Sequence, residues 1–299
     1  MTKITFISDT LKTVYLYRRR LLSALQQKNI QIQVQPIFST VNLFKLMFIS
    51  DFVSSNMKAN IIMLSLNRGK GVIILNGFGR YQYNKRLRTF LITFMRLRKR
   101  NLYIVQNFRD YRYLRRYVDT KIYWVAGSGG SKRPNTNKEN IVCVTRDGKI
   151  DLQLASLTSF LNSFEYDITF VGLSPQKLSS LDLDISLKSR LHNLGYVKQD
   201  EILLTAKAVL VIDGYGEGVP HYLVDAIASD IPIIISKQSL IKYGLYCFNH
   251  ELKYLTDNWL YGQVNSAIKE LVTIKADEKY LNIIMGLNSN EYLDNITEL

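Results

Sequence analysis

The sequence predicts an α/β protein of two halves, each a parallel sheet covered on both faces by helices. Three observations carry this. Short apolar runs rich in Val and Ile alternate with helical stretches along the chain, and strands buried on both faces read as continuous apolar runs rather than as alternation. The length, 299 residues, suits two domains at roughly 100–200 residues each. A polar stretch with one Pro and no apolar residue, Ser131 to Asn140, interrupts the pattern near the middle. Together these predict twin Rossmann-like domains facing a cleft, with ligands beyond the carboxyl ends of the strands.

The first half opens with a strand, Lys3 to Ser8, and a helix from Leu11 to Gln27. Ile30 to Gln35 alternates as a strand does, and Val41 to Phe52 reads as an apolar helix. Gly71 to Leu75 is a β-branched run ending at Asn-Gly-Phe-Gly, a strand followed by a tight loop. A helix of mixed apolar and basic surface spans Lys85 to Arg100, followed by a strand from Leu102, a short helix from Asp110 to Tyr117 and a strand from Lys121 to Val125. In the second half strands are expected at Ile141, Ile168, Leu191, Val209 and Ile231. Helices are expected over Asp151–Phe164, Asp200–Ala206, Leu223–Ser229 and Asn258–Val272.

Composition excludes several classes. With 47% hydrophobic and 21% charged residues the chain is neither disordered nor fibrous. No window of 18 apolar residues offers a membrane span, and the opening Met-Thr-Lys-Ile-Thr-Phe-Ile-Ser reads as a strand start, so no secretory leader is expected. Cys143 and Cys247 make no disulfide framework, and with 3 His they make no metal-ligand pattern, so no metal is expected. These features point to the cytoplasm. Lys and Arg, 39, exceed Asp and Glu, 25, by 14. The excess is uneven: no acid stands between Phe52 and Arg109, and from Arg80 to Arg116 twelve Lys and Arg face the single Asp110. Such a face attracts phosphates. Phe90, Leu91, Phe94, Met95 and Leu97 interleave with its cations, the composition of a helix that lies against an anionic bilayer. No nucleic-acid module is legible, so no nucleic-acid partner is expected.

The segment richest in chemistry follows the strand at Val209. Gly214-Tyr-Gly-Glu-Gly-Val-Pro220 is a glycine-flanked turn opening a helix. Gly216 and Gly218 allow close backbone approach to a ligand. The N–H groups from Val219 to Tyr222 suit a diphosphate, helped by the helix dipole. Glu217 and Asp225, eight positions apart, can flank one ligand, and carboxylates accept from sugar and ribose hydroxyls. An ordinary strand–loop–helix with solvated acids fits the same spacing.

Glu217-Gly-Val-Pro220, Asp225 before Ala-Ile-Ala, and Ile231-Pro-Ile-Ile234 resemble the nucleotide-sugar signature of family 4 glycosyltransferases of the GT-B fold. In that signature the second acid is normally Glu; here Asp225 is shorter. Ile74-Leu-Asn-Gly-Phe-Gly79 and Val105-Gln-Asn-Phe-Arg-Asp110 are similar to the acceptor-domain segment of members that build bacterial surface polysaccharides. Val125-Ala-Gly-Ser-Gly129 looks like the family's interdomain turn, and Leu194-Gly-Tyr-Val197 like the loop that contacts the base. The likeness covers about half of the chain.

The resemblance implies residues 1–130 as the acceptor-side domain and 131–299 as the nucleotide-sugar-binding domain with a C-terminal helix. Glu217 would hold donor-sugar hydroxyls, Asp225 the ribose, the backbone at Gly216, Gly218, Val219 and Pro220 the diphosphate, and Tyr196 and Val197 the base. Arg146 and Lys149, after the first strand of the second domain, would neutralise the departing diphosphate, so neither a metal nor another cofactor is implied. Asp9, Asn76, Gly77, Gly79 and His221 are further candidates for the acceptor side or the cleft. The activity implied is retaining transfer of a sugar from a nucleoside diphosphate sugar to a glycan or polyprenyl-diphosphate-linked acceptor, in capsule, O-antigen or exopolysaccharide assembly. The protein would be peripheral on the inner face of the cell membrane, docked by the basic face 80–116. The alternatives are a nucleotide-sugar epimerase of the same fold and a non-catalytic accessory or nucleic-acid-binding protein.

Overall fold

A computed structural model describes residues 3–37, 44–79, 84–127, 129–136, 138–198, 200–213, 218–246 and 251–286. The chain divides into two units, one of residues 1–129, 216–219 and 274–299, the other of 130–215 and 220–273.

The first unit contains β1 (Lys3–Ser8), α1 (Leu11–Tyr17), α2 (Arg19–Gln27), β2 (Gln31–Pro36), β3 (Phe52–Ser55), α3 (Met57–Leu66), β4 (Gly71–Leu75), α4 (Lys85–Leu97), β5 (Leu102–Val105), α5 (Phe108–Tyr117) and β6 (Ile122–Trp124). Its six strands are all parallel, in the order β2-β1-β3-β4-β5-β6. Side chains alternate between two cores, because successive residues of a strand point to opposite faces. Phe6, Val72 and Ile74 pack under Val14, Leu22 and Leu25 of α1 and α2. Ile7, Ile73 and Leu75 pack under Met63, Leu91, Met95 and Leu114 of α3, α4 and α5. Each such side chain stabilises by roughly 1.5–3 kcal/mol when fully buried, and the double coverage explains the apolar runs. Asn84 and Asn107 cap α4 and α5, their Oδ1 atoms accepting from the N–H groups of Leu87 and Asp110.

The second unit contains β7 (Asn140–Val144), α6 (Asp147–Ser163), β8 (Ile168–Val171), α7 (Pro175–Ser179), α8 (Ile185–Lys188), β9 (Leu191–Asn193), β10 (Ala206–Val211), α9 (His221–Ala228), β11 (Ile233–Ser236), α10 (Lys237–Tyr243), β12 (Lys253–Tyr254), β13 (Trp259–Gly262) and α11 (Ser266–Val272). Its seven-stranded sheet runs β12-β13-β11-β10-β7-β8-β9. It is parallel from β11 to β9, with β12 and β13 added as an antiparallel edge. Ile150, Leu157 and Phe160 of α6 cover one face. The α/β class with two such sheets is as the sequence predicts.

Several elements differ from expectation. The first helix is interrupted at Arg18, whose φ of −126° and ψ of 11° separate α1 from α2. Of the apolar helix expected over 41–52, residues 41–43 lie outside the described residues, 44–46 are helical, and Phe52 instead opens β3. Residues 201–205 form turns rather than a helix. Residues 259–262 pair with β11 as strand β13, and helix begins only at Ser266. The last helix, α12 (Ile274–Met285), does not join the second unit: Ala276, Tyr280, Ile283 and Ile284 complete the first unit's core beside α2. The polar stretch 131–136 is no loose linker. Asn135 Nδ2 donates to Leu203 O and Ala206 O, and Thr136 N donates to Leu204 O.

Candidate functional site

Each sheet reverses its winding once. In the first unit the reversal lies between β1 and β3, in the second between β7 and β10. The crevice at the carboxyl ends of strands beside such a reversal is where open parallel sheets bind ligands.

At the second unit's reversal, Thr145 Oγ1 donates to Gln153 Oε1 at 2.5 Å, and Gln153 Nε2 donates to Ile212 O at 3.1 Å. These two bonds tie the ends of β7 and β10 to α6. Arg146 follows β7 as the residue capping α6 and is exposed; Lys149 is half-buried in the first turn. A Cβ at Gly148 would meet nothing within 4 Å, so the backbone there is open to a ligand. Asp147 Oδ1 accepts the Ser174 N–H at 2.8 Å, which holds its carboxyl below the usual carboxylate range. Asp213, just after β10, pairs with Lys242 at 2.5 Å; Lys242 is buried.

Helix α9 opens with Pro220 at its N-cap and His221, half-buried, as its first residue. One turn further Asp225 is buried. Its Oδ1 accepts the Ser131 N–H at 2.8 Å and its Oδ2 accepts Arg133 Nε at 2.9 Å. Arg133 also pairs with Asp200. These two bonds fix the Asp225 carboxylate in place.

At the first unit's reversal the strand ends carry Ser8, Asp9, Ser55, Asn56, Asn76 and Gln106. Asp9 accepts the Ala59 N–H at 3.1 Å; burial raises its pKa, offset in part by that bond and by Lys58. Gly77, with a φ of 137°, turns the chain after Asn76 into a conformation that L side chains avoid, and Gly79 follows at 55°. Gln106 Nε2 donates to Gly127 O and to Tyr280 Oη, and Tyr280 Oη donates to Gly127 O. Gly218 groups with this unit. A Cβ there would lie 2.2 Å from Asn76 O and 2.9 Å from Gln106 Cβ, so only glycine fits.

No family model matches the chain, and no curated protein sequence does. Among solved structures the chain is similar to TarM, at 18% identity and a TM-score of 0.47, over 64% of this chain and 42% of that one. It is also similar to the pneumococcal O-GlcNAc transferase GtfA in complex with UDP and GlcNAc, at 13% identity and 0.49, over 86% and 53%. A third is the DNA-modifying enzyme β-glucosyltransferase, at 11% and 0.46, over 77% of each chain. The chain spans about half the length of the first two. Likeness at this level transfers no residue role.

Gly216 and Glu217 lie outside the described residues, as do Arg80 of the basic face and Cys247. Asp225, Pro220 and His221 stand on α9, Arg146 and Lys149 on the β7–α6 turn, all in the second unit. Gly218 and Val219 group with the first unit. Tyr196 is 72% exposed beside half-buried Val197. Asp9, Asn76, Gly77 and Gly79 cluster on the first unit's rim, as their strand ends require. Cys143 is buried, and burial pushes its thiol up, as for a core residue. Among the described residues, no group of His, Cys, Asp and Glu could hold a metal ion, and no helix is long and apolar enough to cross a membrane.

Sequence reasoning missed Arg133, Lys242 and Arg18. Arg133 sits in a stretch read as linker. Lys242 carries no local signal. Arg18 had one: it occupies the stripe 14-18-21-22-25 whose other members, Val14, Leu21, Leu22 and Leu25, are core residues.

In the first unit, Arg96, Lys99, Arg115 and Arg116, with Tyr117, Val118 and one acid, Asp119, line a cavity of about 520 Å³. Arg96 Nε donates to Tyr117 O at 2.6 Å. Among the described residues Lys99, Arg115 and Arg116 have no ion-pair partner. Leu97, next to Arg96 in the chain, is 68% exposed. Arg98 is structural instead, donating to Leu64 O and Ser65 O.

Proposed function

We propose that the protein is a glycosyltransferase of the GT-B kind, taking a sugar from a nucleoside diphosphate sugar and passing it, with retention of configuration, to a lipid-linked glycan in surface-polysaccharide assembly. The observation that carries the reading is the carboxyl rim of β7 and β10. Exposed Arg146, half-buried Lys149, open backbone at Gly148 and an immobilised Asp225 follow strand ends beside one winding reversal.

Each residue has a task there. Arg146 and Lys149 neutralise charge on the departing diphosphate, which lowers the barrier by stabilising a leaving group. Asp225, held by Ser131 and Arg133, accepts ribose hydroxyls without having to reorganise. Glu217 takes the donor-sugar hydroxyls, and Tyr196 with Val197 the base. None of this requires a metal ion. The basic cavity with Leu97 and Tyr117 is the composition of a bilayer-facing surface, and it would keep the chain near a lipid-linked acceptor.

A thermal-shift panel of nucleotide sugars tests this, since a specific ligand raises the melting temperature by mass action. At least one donor raises it in the wild type, and Glu217→Ala abolishes sugar transfer. Donor turnover with no acceptor would identify an epimerase. Absence of any response would identify a non-catalytic protein.

A further inference from the structure

The first unit buries a cation that no acid among the described residues neutralises. Arg18 is 4% exposed. Its Nη2 donates to Asn76 Oδ1 at 2.7 Å and to Ser55 Oγ at 3.3 Å, and its Nε points to Ser55 Oγ at 3.4 Å. Its Nη1 has no hydrogen-bond partner, and among the described residues no carboxylate pairs with it. The Tyr280 ring lies 5.6 Å from the guanidinium. Asp9 and Asp277 have other partners: Asp9 accepts from the Ala59 N–H and feels Lys58, and Asp277 pairs with Arg20 at 2.8 Å.

A buried charge is normally paired or bound to a ligand, because desolvation otherwise opposes folding. A helix packing its apolar stripe on a sheet would place Leu at position 18. Instead the helix is interrupted there. Backbone bonds continue on both sides, from Arg18 N to Val14 O and from Leu22 N to Arg18 O, and the guanidinium reaches the ends of β3 and β4. That location is the β1/β3 winding reversal, the position from which such sheets bind ligands. The surrounding groups are neutral and linked to one another: Asn76 Nδ2 donates to Asn56 Oδ1 at 3.3 Å, and Asn56 Nδ2 to Ser8 Oγ at 2.9 Å. Asn56 holds a φ of 82° to do so. Both asparagines are partly exposed, so they stand between the guanidinium and solvent.

We propose that Arg18, with Ser55, Asn56 and Asn76, forms an oxyanion subsite of the first unit whose ligand is a phosphate group. A phosphate offers enough acceptor oxygens to take the Nη1 donors and both amides once the Asn76 amide swings off Nη2, and its charge cancels the one the fold buries. The inference concerns the first unit only and does not depend on the donor reading of the second.

The test is thermal unfolding of the full chain in inorganic phosphate, in acetate and in chloride at equal ionic strength. The wild type, Arg18→Met, Arg18→Lys and the double variant Arg146→Ala/Lys149→Ala are compared. Phosphate raises the wild-type melting temperature saturably, by several degrees over chloride. Arg18→Met melts at or above wild type in chloride and loses the phosphate response. Arg18→Lys keeps part of the response. The double variant, which lacks the diphosphate contacts of the proposed donor site, keeps a saturable response that Arg18→Met in the same background removes, which separates the two sites. Three results would each overturn the proposal: no phosphate response in the wild type, an undiminished response in Arg18→Met, or an equal response to acetate. If Arg18→Met does not fold, Arg18→Lys alone decides: a shift reduced below that of the wild type supports the subsite, and an undiminished shift overturns it.

Discussion

The two winding reversals use charge in opposite ways. At the β7/β10 rim the cations are matched by acids: half-buried Arg133 by Asp225 and Asp200, buried Lys242 by Asp213. At the β1/β3 rim Arg18 meets, among the described residues, the neutral groups of Ser55, Asn76 and Tyr280 and no acid. Matched pairs make a rigid platform, whose polar groups are already oriented when a ligand arrives. An unmatched buried cation is a standing demand for an anion.

The contrast breaks first at Asp225. Replacing it by Ala leaves Arg133, 15% exposed in its side chain, with Asp200 as its remaining acid, so the loss is expected toward the lower end of the about 3–5 kcal/mol that breaking a buried pair typically costs. Urea unfolding of Asp225→Ala shows a loss of that order, while Asp225→Asn loses less because its Oδ1 still accepts the Ser131 N–H. A loss below about 1 kcal/mol in the Ala variant would mean that the pair is solvated. Gly218→Ala comes next. Its Cβ collides with Asn76 O, a backbone atom that cannot rotate away, so a destabilisation of about 1–3 kcal/mol is expected, typical of overpacking.

The basic face gives a smaller effect. Arg115→Glu with Arg116→Glu lowers association with vesicles containing anionic lipid, by about 1 kcal/mol per cation removed or somewhat more for reversal. The difference fades as salt rises, and it would not fade if the contact were apolar. The smallest effect is at Asp9. Burial raises its folded-state pKa, so its ionisation opposes folding. That penalty is absent below the ordinary carboxylate pKa and complete above the raised one. Asp9→Asn is therefore slightly more stable than wild type at neutral pH, and the gap closes as pH falls through that window; a gap that stays constant with pH would contradict the assignment.

Much of this architecture was legible in the sequence for a simple reason. Strands buried on both faces, such as Gly71–Leu75 and Val209–Val211, must be apolar throughout, and the helices between them show a single apolar stripe. What was illegible depends on partners distant in the chain. Trp259–Gly262 is a strand only because β11 offers an antiparallel edge. Phe52–Ser55 has two apolar residues, too few to stand out beside an apolar stretch, yet β1 and β4 flank it. Asp225 was legible as an acid on a helix opening. Its partners, Ser131 and Arg133, lie 94 and 92 residues away in a stretch whose polarity suggests only a linker.

The central claim is that the second unit's rim holds a nucleoside diphosphate. Equilibrium titration of a set of nucleoside diphosphates into the wild type and into Arg146→Ala/Lys149→Ala tests it directly. Saturable binding of at least one by the wild type, weakened tenfold or more in the double variant, is the predicted result. Binding by neither protein, or equal binding by both, would contradict it.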